Sequence, residues 1–476
     1  MTDAPRFRRT KIVATLGPAC ADESVLTKLI ESGADVVRIN SSHGDPATWS
    51  EWMGRVRRVA DRLERHVAVL VDLQGPRIRV GKLSEPVELE ANAEVVFAPQ
   101  GDARPGEIPT TYDALASDLH PDARVLLDDG LLSVDVARIE GDRVHGVVRY
   151  GGTLQSNKGI NLPGVEISAP TVTERDRANL TVALEHGADL IAVSFVRRAA
   201  DVEEVRALVP SEVGIVAKIE KAEAIDDLNR ILETSDALMV ARGDLGVELR
   251  FEEVPLIQKR LIIRANRRAR PVITATQMLE SMVHTPRPTR AEASDVANAI
   301  LDGTDAVMLS AETAIGQYPV KAVQAMARII AEIEAQVTAD TLPRRRRSDL
   351  PGPGRPRTSD DAIAYATSVA AEMLQVPLIV CFTKSGFTAR KIAANRPVTP
   401  IVGLSTELST CRSLSLVWGV APQLVDHAPT YEVMLGRARE QLLARGLVEP
   451  GDRIVVTAGV PFDVPGTTNL LKIETI

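Results

Sequence analysis

Short apolar segments recur along the first two thirds of the chain, and most are separated by amphipathic stretches of helical periodicity. Each segment ends on polar or glycine-rich residues, as expected of strands buried on both faces. The predicted strands are 12–16, 35–39, 68–73, 190–193, 215–219, 237–241, 272–275 and 306–309. The predicted helices are 23–32, 48–65, 174–186, 200–208, 226–234, 252–268, 290–301 and 320–336.

The near-regular alternation of strands with helices predicts an α/β fold built on a closed (β/α)8 TIM barrel of parallel strands. One interval between strands, the third, is much longer than the others. It contains short alternating runs broken by Gly, Pro and Asp, which predict an inserted all-β domain at 75–163. Because the insertion leaves the barrel face on which active sites lie, we expect it to act as a lid.

A second strand–helix alternation predicts a separate C-terminal α/β domain at 359–476. The barrel is therefore discontinuous, at 1–74 and 164–342, and a linker rich in Pro and Gly follows at 343–358. Four consecutive arginines at 344–347 fit a phosphate-binding patch or, as the better-supported interpretation, a solvated linker.

The composition of the 476 residues excludes several classes of protein. A net charge of −8 argues against a general nucleic-acid-binding surface. Three cysteines without a CxxC motif exclude a disulfide framework and a zinc cluster. The sequence has neither an apolar run of membrane-spanning length nor a secretory signal. We therefore expect a cytoplasmic protein with no membrane or nucleic-acid partner.

Lysine is rare in this chain, since 45 of the 56 basic residues are arginine and 11 are lysine. Lys218 lies two residues before Glu220 at the end of a predicted strand, so alternation places both side chains on one face. Beside a metal-bound phosphate, a lysine supplies a mobile positive charge for a transferring phosphoryl group.

Glu220 and Asp244 end neighbouring predicted strands, where barrels collect their chemistry. Two carboxylates without His or Cys suit a hard cation such as Mg²⁺ or Mn²⁺. A pair of capping or salt-bridged acids is the alternative.

The loop at 383–388 in the C-terminal domain combines hydroxyls, a glycine and the start of a helix. That combination is typical of a phosphate site, although a plain connection between a strand and a helix is equally compatible with it.

Nine segments resemble the pyruvate kinase family and occur in the family's order. They read TKIVATLGPA, RINSSHG, DLQGPRIR, NKGINLPG, AKIE, VARGDLG, TATQMLES, PTRAE and MLSAET. The resemblance covers the barrel and the insertion and is looser in the C-terminal domain. It implies a barrel with an inserted lid and a regulatory domain. The implied activity, the last step of glycolysis, is phosphoryl transfer from phosphoenolpyruvate to ADP, giving pyruvate and ATP.

The same resemblance implies roles for individual residues. Glu220 and Asp244 would hold the divalent metal, and Lys218 and Arg38 would contact the transferring phosphoryl group. The substrate carboxylate would be bound by Gly243, Asp244 and Thr276, and Thr276 also lies where the enolate is protonated. The nucleotide phosphates, arriving with a second Mg²⁺, would face His43, Arg79 and Lys158.

A monovalent-cation region is also implied, with Asn40, Ser42, Asp72 and Leu73 as its residues. Family members with a basic residue after the Gly-Pro of the third strand, and Leu-Gln before the glycine, resemble the group that does not require K⁺. Because this chain has Arg77 at that position, we expect the guanidinium to replace K⁺ as an internal cation.

The resemblance further implies allosteric regulation and a homotetramer. The residues matching the family's loop for a phosphorylated small-molecule effector are Thr383, Ser385, Gly386 and Thr388. Two alternatives remain open: a metal-dependent aldolase or lyase acting on a pyruvate enolate, and a catalytically inactive ligand-sensing paralogue. The residues that an enolate lyase does not need are Lys218, Arg38 and Lys158.

Overall fold

The computed structural model describes residues 7–336, 358–427, 430–460 and 467–476. The arginines at 344–347 and nearly all of the predicted linker lie outside the described residues. Among those that are described, no helix combines the length and apolar character needed to cross a membrane.

The first part of the barrel alternates strands and helices. It comprises β1 (Lys11–Thr15), α1 (Glu23–Glu31), β2 (Val36–Asn40), α2 (Pro46–Arg62) and β3 (Ala68–Asp72). Each helix is preceded by an aspartate, Asp22 or Asp45, whose side chain accepts backbone N–H from the first turn, which satisfies donors that the helix leaves unpaired.

An insertion follows β3. Its elements are β4 (Val87–Leu89), β5 (Glu94–Pro99), β6 (Ile108–Thr110), α3 (Leu115–Asp118), β7 (Arg124–Leu127), β8 (Leu132–Glu140), β9 (Arg143–Tyr150), β10 (Gly152–Leu154) and β11 (Ile160–Asn161). They form a six-stranded sheet of order β11-β7-β8-β9-β5-β6 and a β10-β4 pair. Side chains such as Phe97 and Val134 build a hydrophobic core separate from that of the barrel.

The chain then returns to the barrel. This part comprises α4 (Glu174–Glu185), β12 (Leu190–Val193), α5 (Ala199–Arg206), β13 (Gly214–Ile219), α6 (Glu223–Asp226), α7 (Leu228–Thr234), β14 (Ala237–Ala241), α8 (Arg242–Glu248), α9 (Val254–Asn266), β15 (Val272–Ala275), a 3₁₀ turn (Glu280–Val283), α10 (Arg290–Asp302), β16 (Ala306–Leu309), α11 (Ala311–Ala314) and α12 (Pro319–Gln336). The eight barrel strands close in the order β1-β16-β15-β14-β13-β12-β3-β2, all parallel.

The barrel strands alternate between two apolar surroundings. In β14, Ala237 and Met239 belong to the cluster that fills the barrel interior, whereas Leu238 and Val240 pack against the surrounding helices. This period of two fixes which side chains of every strand point into the barrel.

The C-terminal domain is a second α/β unit. Its elements are α13 (Ser359–Met373), β17 (Ile379–Phe382), α14 (Phe387–Ala393), β18 (Ile401–Ser405), α15 (Leu408–Leu414), β19 (Val420–Leu424), α16 (Tyr431–Ala444), β20 (Arg453–Ala458) and β21 (Leu470–Thr475). The sheet order is β19-β18-β17-β20-β21, and β21 alone runs antiparallel to its neighbour.

The C-terminal domain packs against the N-terminal ends of the barrel strands. The Arg396 guanidinium binds both carboxylate oxygens of Asp305, which directly precedes β16, at 2.9 and 3.0 Å. Lys11, the first residue of β1, donates from Nζ to the Val420 carbonyl at 2.8 Å. The opposite barrel face, on which the strands end, is thus left to the insertion.

The three cysteines are buried and free. Cys20 lies in the loop after β1, Cys381 in β17 and Cys411 in α15. Burial raises the pKa of each thiol, that of Cys20 to about 11.

Candidate active site

A layer of polar side chains covers the apolar interior at the C-terminal end of the barrel. It follows from the strand alternation, because each member stands two residues beyond an inward-pointing apolar residue of its own strand. The layer comprises Thr15, Arg38, Asp72, Ser194 and Lys218. All five are buried.

Lys218 contacts two members of this layer and the neighbouring Glu220. Its Nζ is 2.7 Å from Glu220 Oε1 and 3.2 Å from Asp72 Oδ1, and it donates to Ser194 Oγ at 2.6 Å. Burial alone would lower the pKa of the Lys218 ammonium, but the carboxylates of Asp72 and Glu220 outweigh burial and raise the pKa. The lysine is therefore charged at neutral pH.

Arg38 completes the cationic side of the layer. Its Nε donates to Asp72 Oδ2 at 2.8 Å, and its Nη1 donates to Thr15 Oγ1 at 3.1 Å. Burial would raise the pKa of Asp72, but Lys218 and Arg38 outweigh burial and hold that pKa below its usual value. Two fixed cations thus share one ionised carboxylate.

Glu220 and Asp244 provide carboxylate oxygens beside this layer. Burial raises the pKa of Glu220, and the nearby Asp244 carboxylate acts in the same direction, against the effect of Lys218. A divalent cation would relieve this repulsion. In the part of the chain that the structure describes, no three His, Cys, Asp or Glu side chains cluster as a complete metal cage. Two carboxylates that share a cation with substrate oxygens are the usual arrangement for Mg²⁺.

Gly243 and Thr276 meet at the start of α8. The backbone N–H of Gly243 donates to Thr276 Oγ1 at 2.8 Å, and the Thr276 hydroxyl donates to the Ala275 carbonyl at 2.6 Å. Thr276 and the following Gln277 have φ angles of +66° and +54°. A β-branched residue rarely adopts this left-handed conformation. The structure therefore places Gly243, Asp244 and Thr276 together, as expected for one binding site.

The three residues predicted to face the nucleotide lie farther out. Arg79 donates from Nη1 to the Asn157 carbonyl at 3.1 Å, next to Lys158, whose Nζ is 2.9 Å from Asp128 Oδ1. His43 is exposed on the loop after β2. Partial shielding of its ring from water nevertheless lowers the pKa of His43, and neighbouring arginines act in the same direction.

Arg175 belongs to this basic region and was not predicted from the sequence. Burial lowers the pKa of Arg79, and the positive charges of Arg77 and Arg175 add to the effect. Arg77 and Arg175 also line one cavity between the insertion and the barrel. Arg175 stands at the start of α4, about a hundred residues from Arg79, so no local pattern could have connected the two.

The predicted monovalent-cation region is only partly assembled. Asn40 pairs with Asp72 across two strands and accepts the Ser42 N–H at 3.1 Å, and Leu73 is buried. The Arg77 side chain is exposed, and within the described residues Asp72 is paired with Arg38 and Lys218 instead.

The predicted effector loop joins β17 to α14 in the C-terminal domain. Gly386 has a φ of +76°, and Ser385 is exposed, as a phosphate loop requires. Thr388 is buried instead, with its hydroxyl 2.8 Å from that of Thr468, and Thr383 is half-buried.

Comparison with known proteins identifies the family of this chain. The family model "Pyruvate kinase, barrel domain" matches residues 7–323, and "Pyruvate kinase, alpha/beta domain" matches 361–474. A curated relative, pyruvate kinase 2 of Synechocystis sp., is 45% identical over 100% of this chain and 80% of its own length. The pyruvate kinase of Mycobacterium intracellulare is 44% identical over 98% of each chain.

A solved structure is similar over nearly the whole molecule. The crystal structure of a pyruvate kinase from Cryptosporidium parvum superimposes with a TM-score of 0.92 at 35% identity, covering 98% of this chain and 96% of the other. The closed barrel, the additional sheets and the C-terminal α/β domain are confirmed as one known architecture. The chain belongs to the pyruvate kinase family of phosphotransferases.

Proposed function

We propose that this chain transfers the phosphoryl group of phosphoenolpyruvate to ADP through the residues of the polar layer. The observation that carries the proposal is the position of Lys218, a buried, charged ammonium within 3.2 Å of two carboxylates and beside Arg38. In-line phosphoryl transfer needs positioning and charge neutralisation more than covalent chemistry. Lys218 and Arg38 supply fixed positive charge to the phosphoryl group as it moves.

Dependence on a divalent metal is a property of the family, and the carboxylates of Glu220 and Asp244 fit such an ion. Bound there, a divalent cation supplies charge neutralisation for the substrate's carboxylate and phosphate oxygens. We propose Mg²⁺ or Mn²⁺ in this role, with a second ion accompanying the nucleotide. The buried Glu220, whose Oε2 accepts the Phe195 N–H at 2.8 Å, is held in one orientation for this task.

The substrate carboxylate is assigned to the start of α8. The N–H groups of Gly243 and Asp244 and the Thr276 hydroxyl lie together there, and oriented donors of this kind hold a carboxylate in place. On substrate binding, the Gly243 N–H and the Thr276 hydroxyl would exchange their present bonds, to Thr276 Oγ1 and to the Ala275 carbonyl, for bonds to the carboxylate. We assign the same hydroxyl to the protonation of the carbon when the enolate becomes pyruvate, with a water as the proposed carrier.

The nucleotide phosphates are assigned to Arg79, His43 and Lys158. Two of these belong to the insertion, which also contacts the barrel where Asn161 Nδ2 donates to Glu248 Oε1 of α8 at 3.3 Å. Movement of the insertion would bring the nucleotide to the polar layer and exclude water, which competes with ADP for the phosphoryl group. We therefore propose that 75–163 is a lid.

A coupled assay of pyruvate formation from phosphoenolpyruvate, ADP and Mg²⁺ tests the activity. Lys218→Met should lower kcat by about 10²–10³-fold or more, because it removes a charge that acts in the transition state. Lys28→Met, which changes an exposed lysine on α1, is the matched control and should be fully active. An inactive wild-type chain would support the ligand-sensing alternative. An active Lys218→Met variant would overturn the role of the lysine. The family assignment removes the aldolase alternative.

We also propose a phosphorylated effector at Thr383, Ser385, Gly386 and Thr388, independence from K⁺ through Arg77, and a homotetramer. The exposed Ser385 next to the left-handed Gly386 supports the first, and family resemblance supports the other two. Unchanged saturation curves across a panel of sugar phosphates and AMP would contradict the effector, and a monomeric mass in solution would contradict the tetramer.

A further inference from the structure

The backbone at Thr276 is held in a conformation that threonine does not favour. Both Thr276 and Gln277 have positive φ angles, and only the first carries a branched Cβ. Such a turn persists only where surrounding contacts determine it. The residue that makes these contacts has no part in the proposed function.

Arg242, the first residue of α8, makes these contacts. Its Nη2 donates to the Thr276 carbonyl at 2.6 Å, and its Nε donates to the Ala275 carbonyl at 3.2 Å. Its Nη1 is 2.7 Å from Asp295 Oδ1, so the guanidinium is anchored at its far side on α10. The arginine side chain is only 11% exposed.

The guanidinium and the Thr276 hydroxyl act on the same carbonyl. Thr276 Oγ1 donates its hydrogen to the Ala275 carbonyl and accepts the Gly243 N–H, so both bonds of the hydroxyl are fixed. Arg242 binds the Ala275 and Thr276 carbonyls, which flank the Thr276 Cα. The N–H of Gly243, its neighbour in sequence, binds the Thr276 hydroxyl. The planar fork of arginine makes this possible, and a lysine could not bind both carbonyls and Asp295 in the same way.

We propose that Arg242 is a positioning residue that keeps Thr276 in its left-handed conformation, and so keeps its hydroxyl in place for the protonation of enolpyruvate. The inference rests on the proposed function. Arg242 does not touch the substrate, and it acts through Thr276. Loss of Arg242 should therefore damage proton transfer to and from carbon more than phosphoryl transfer.

Two reactions of the same enzyme separate these steps. Forward turnover from phosphoenolpyruvate tolerates poor protonation, because enolpyruvate released from the site ketonises in solution. Exchange of the methyl protons of pyruvate in D₂O does not, since a C–H bond must break on the enzyme and a C–D bond form with a deuteron from solvent. The ratio of exchange to turnover is independent of the fraction of folded enzyme.

Arg242→Gln should lower the ratio of exchange to turnover at least about tenfold, which is part of the roughly 10²–10⁴-fold that proton-transfer catalysis usually contributes. In a Thr276→Ser background the hydroxyl remains and the branched methyl is gone. There the same change should lower the ratio less than about threefold, because the left-handed conformation is less strained in a residue without a branched Cβ. Arg250→Gln, which changes an exposed arginine just beyond α8, is the control and should leave the ratio unchanged.

An unchanged ratio in Arg242→Gln, or an equal loss in the threonine and serine backgrounds, would overturn the inference while leaving the proposed function intact. A wild-type chain without turnover would instead contradict the proposed function. In that event a crystal structure of Arg242→Gln decides the inference: Thr276 and Gln277 should relax to negative φ, and retention of the turn would refute the role of Arg242.

Discussion

At Lys218, burial and neighbouring charge act on one pKa in opposite directions. Burial favours the neutral amine, and the carboxylates of Asp72 and Glu220 favour the ammonium more strongly. The result is a lysine that keeps its charge without exposure to water. An arginine could not take its place easily, because a compact ammonium reaches both carboxylates and Ser194 from one point.

The prediction that K⁺ is not required depends on Arg77. With K⁺ replaced by tetramethylammonium, the wild-type chain should keep most of its turnover, because the guanidinium supplies the positive charge. Arg77→Glu should lose turnover in tetramethylammonium and recover it in K⁺. Arg104→Glu, which reverses an exposed charge elsewhere on the insertion, controls for net charge.

A fall of wild-type turnover to background without K⁺ would contradict this prediction. In this structure the Arg77 side chain is exposed to solvent. The side chain must move toward Asn40 and Asp72 when the site closes, or it cannot replace the ion.

Strand alternation in the sequence predicts which nearby residues share a site. Contacts between residues far apart in the sequence cannot be predicted in this way. Lys218 and Glu220 are two positions apart on one strand, and the structure brings their charged atoms to 2.7 Å. Arg242 reaches Thr276 and Asp295, which lie 34 and 53 positions away. No local pattern connects such partners, so its role becomes visible only in the folded chain.

At the scale of elements, α8 contains two glycines with different surroundings. A Cβ on Gly243 would lie 3.5 Å from Thr276 Oγ1, and one on Gly246 would lie 3.8 Å from Val254 Cγ2. Both are ordinary contacts, so both alanine variants should fold. Only the methyl at 243 would stand beside the N–H assigned to the substrate carboxylate.

Gly243→Ala should therefore raise the KM for phosphoenolpyruvate by about tenfold or more, equivalent to ~1.4 kcal/mol of binding. Gly246→Ala should leave it unchanged, and neither variant should change the KM for ADP. Steady-state kinetics with each substrate varied in turn measures the effect. Equal KM values for the two variants would contradict the assignment of the carboxylate.

The N-terminus of α10 provides a second element to test. Glu292 accepts hydrogen bonds from the backbone and hydroxyl of Ser281 at 2.7 and 2.6 Å and from the Thr289 N–H at 2.7 Å. Burial opposes the charge of Glu292, but these bonds outweigh burial and hold its pKa below the usual value. Its stabilising contribution is thus present above the ordinary glutamate pKa, ~4.3, and is lost as pH falls through the lower pKa of the folded state.

Glu292→Gln should lower the thermal midpoint at pH 7 by about 2–4 °C, as expected for ~1 kcal/mol in a domain of this size. The difference from wild type should shrink as the pH falls below ~4. Glu185→Gln, an exposed change on α4, is the control. A difference that grows in acid would mean that the sign of the pKa shift is wrong.

The barrel elements are predicted closely because each strand is apolar throughout and each long helix is amphipathic. The predicted strand at 237–241 and helix at 290–301 differ from the observed β14 and α10 by at most one residue at either end. The short helices α6, α8 and α11 and the 3₁₀ turn were not predicted. Each is four to seven residues long, too short for a periodicity to form, and tertiary contacts define them.

For the whole molecule, the ion pair Arg396–Asp305 joins the C-terminal domain to the barrel at the N-terminal ends of its strands. Its side chains are only 3% and 5% exposed, and the guanidinium also stacks 4.9 Å from the Trp418 ring. An effector at the 383–388 loop would therefore act on the end of the barrel opposite to the polar layer.

Arg396→Met should destabilise the chain by about 3–5 kcal/mol, because it leaves the buried Asp305 carboxylate without its cation. Adding Asp305→Asn should recover part of the loss, which simple additivity does not allow. Denaturant unfolding followed by tryptophan fluorescence measures both. Arg453→Met, at an exposed position that begins β20, should be neutral, and a neutral Arg396→Met would contradict the importance of the pair.

The buried cysteines can serve as probes of which domain unfolds first. A thiol that is shielded and held protonated does not react with alkylating reagents, so the folded chain should remain unlabelled at neutral pH. Label on Cys20 would report opening of the barrel, and label on Cys381 or Cys411 would report opening of the C-terminal domain. Mass spectrometry of a time course in mild denaturant would then give the order in which the two domains unfold, with no residue changed.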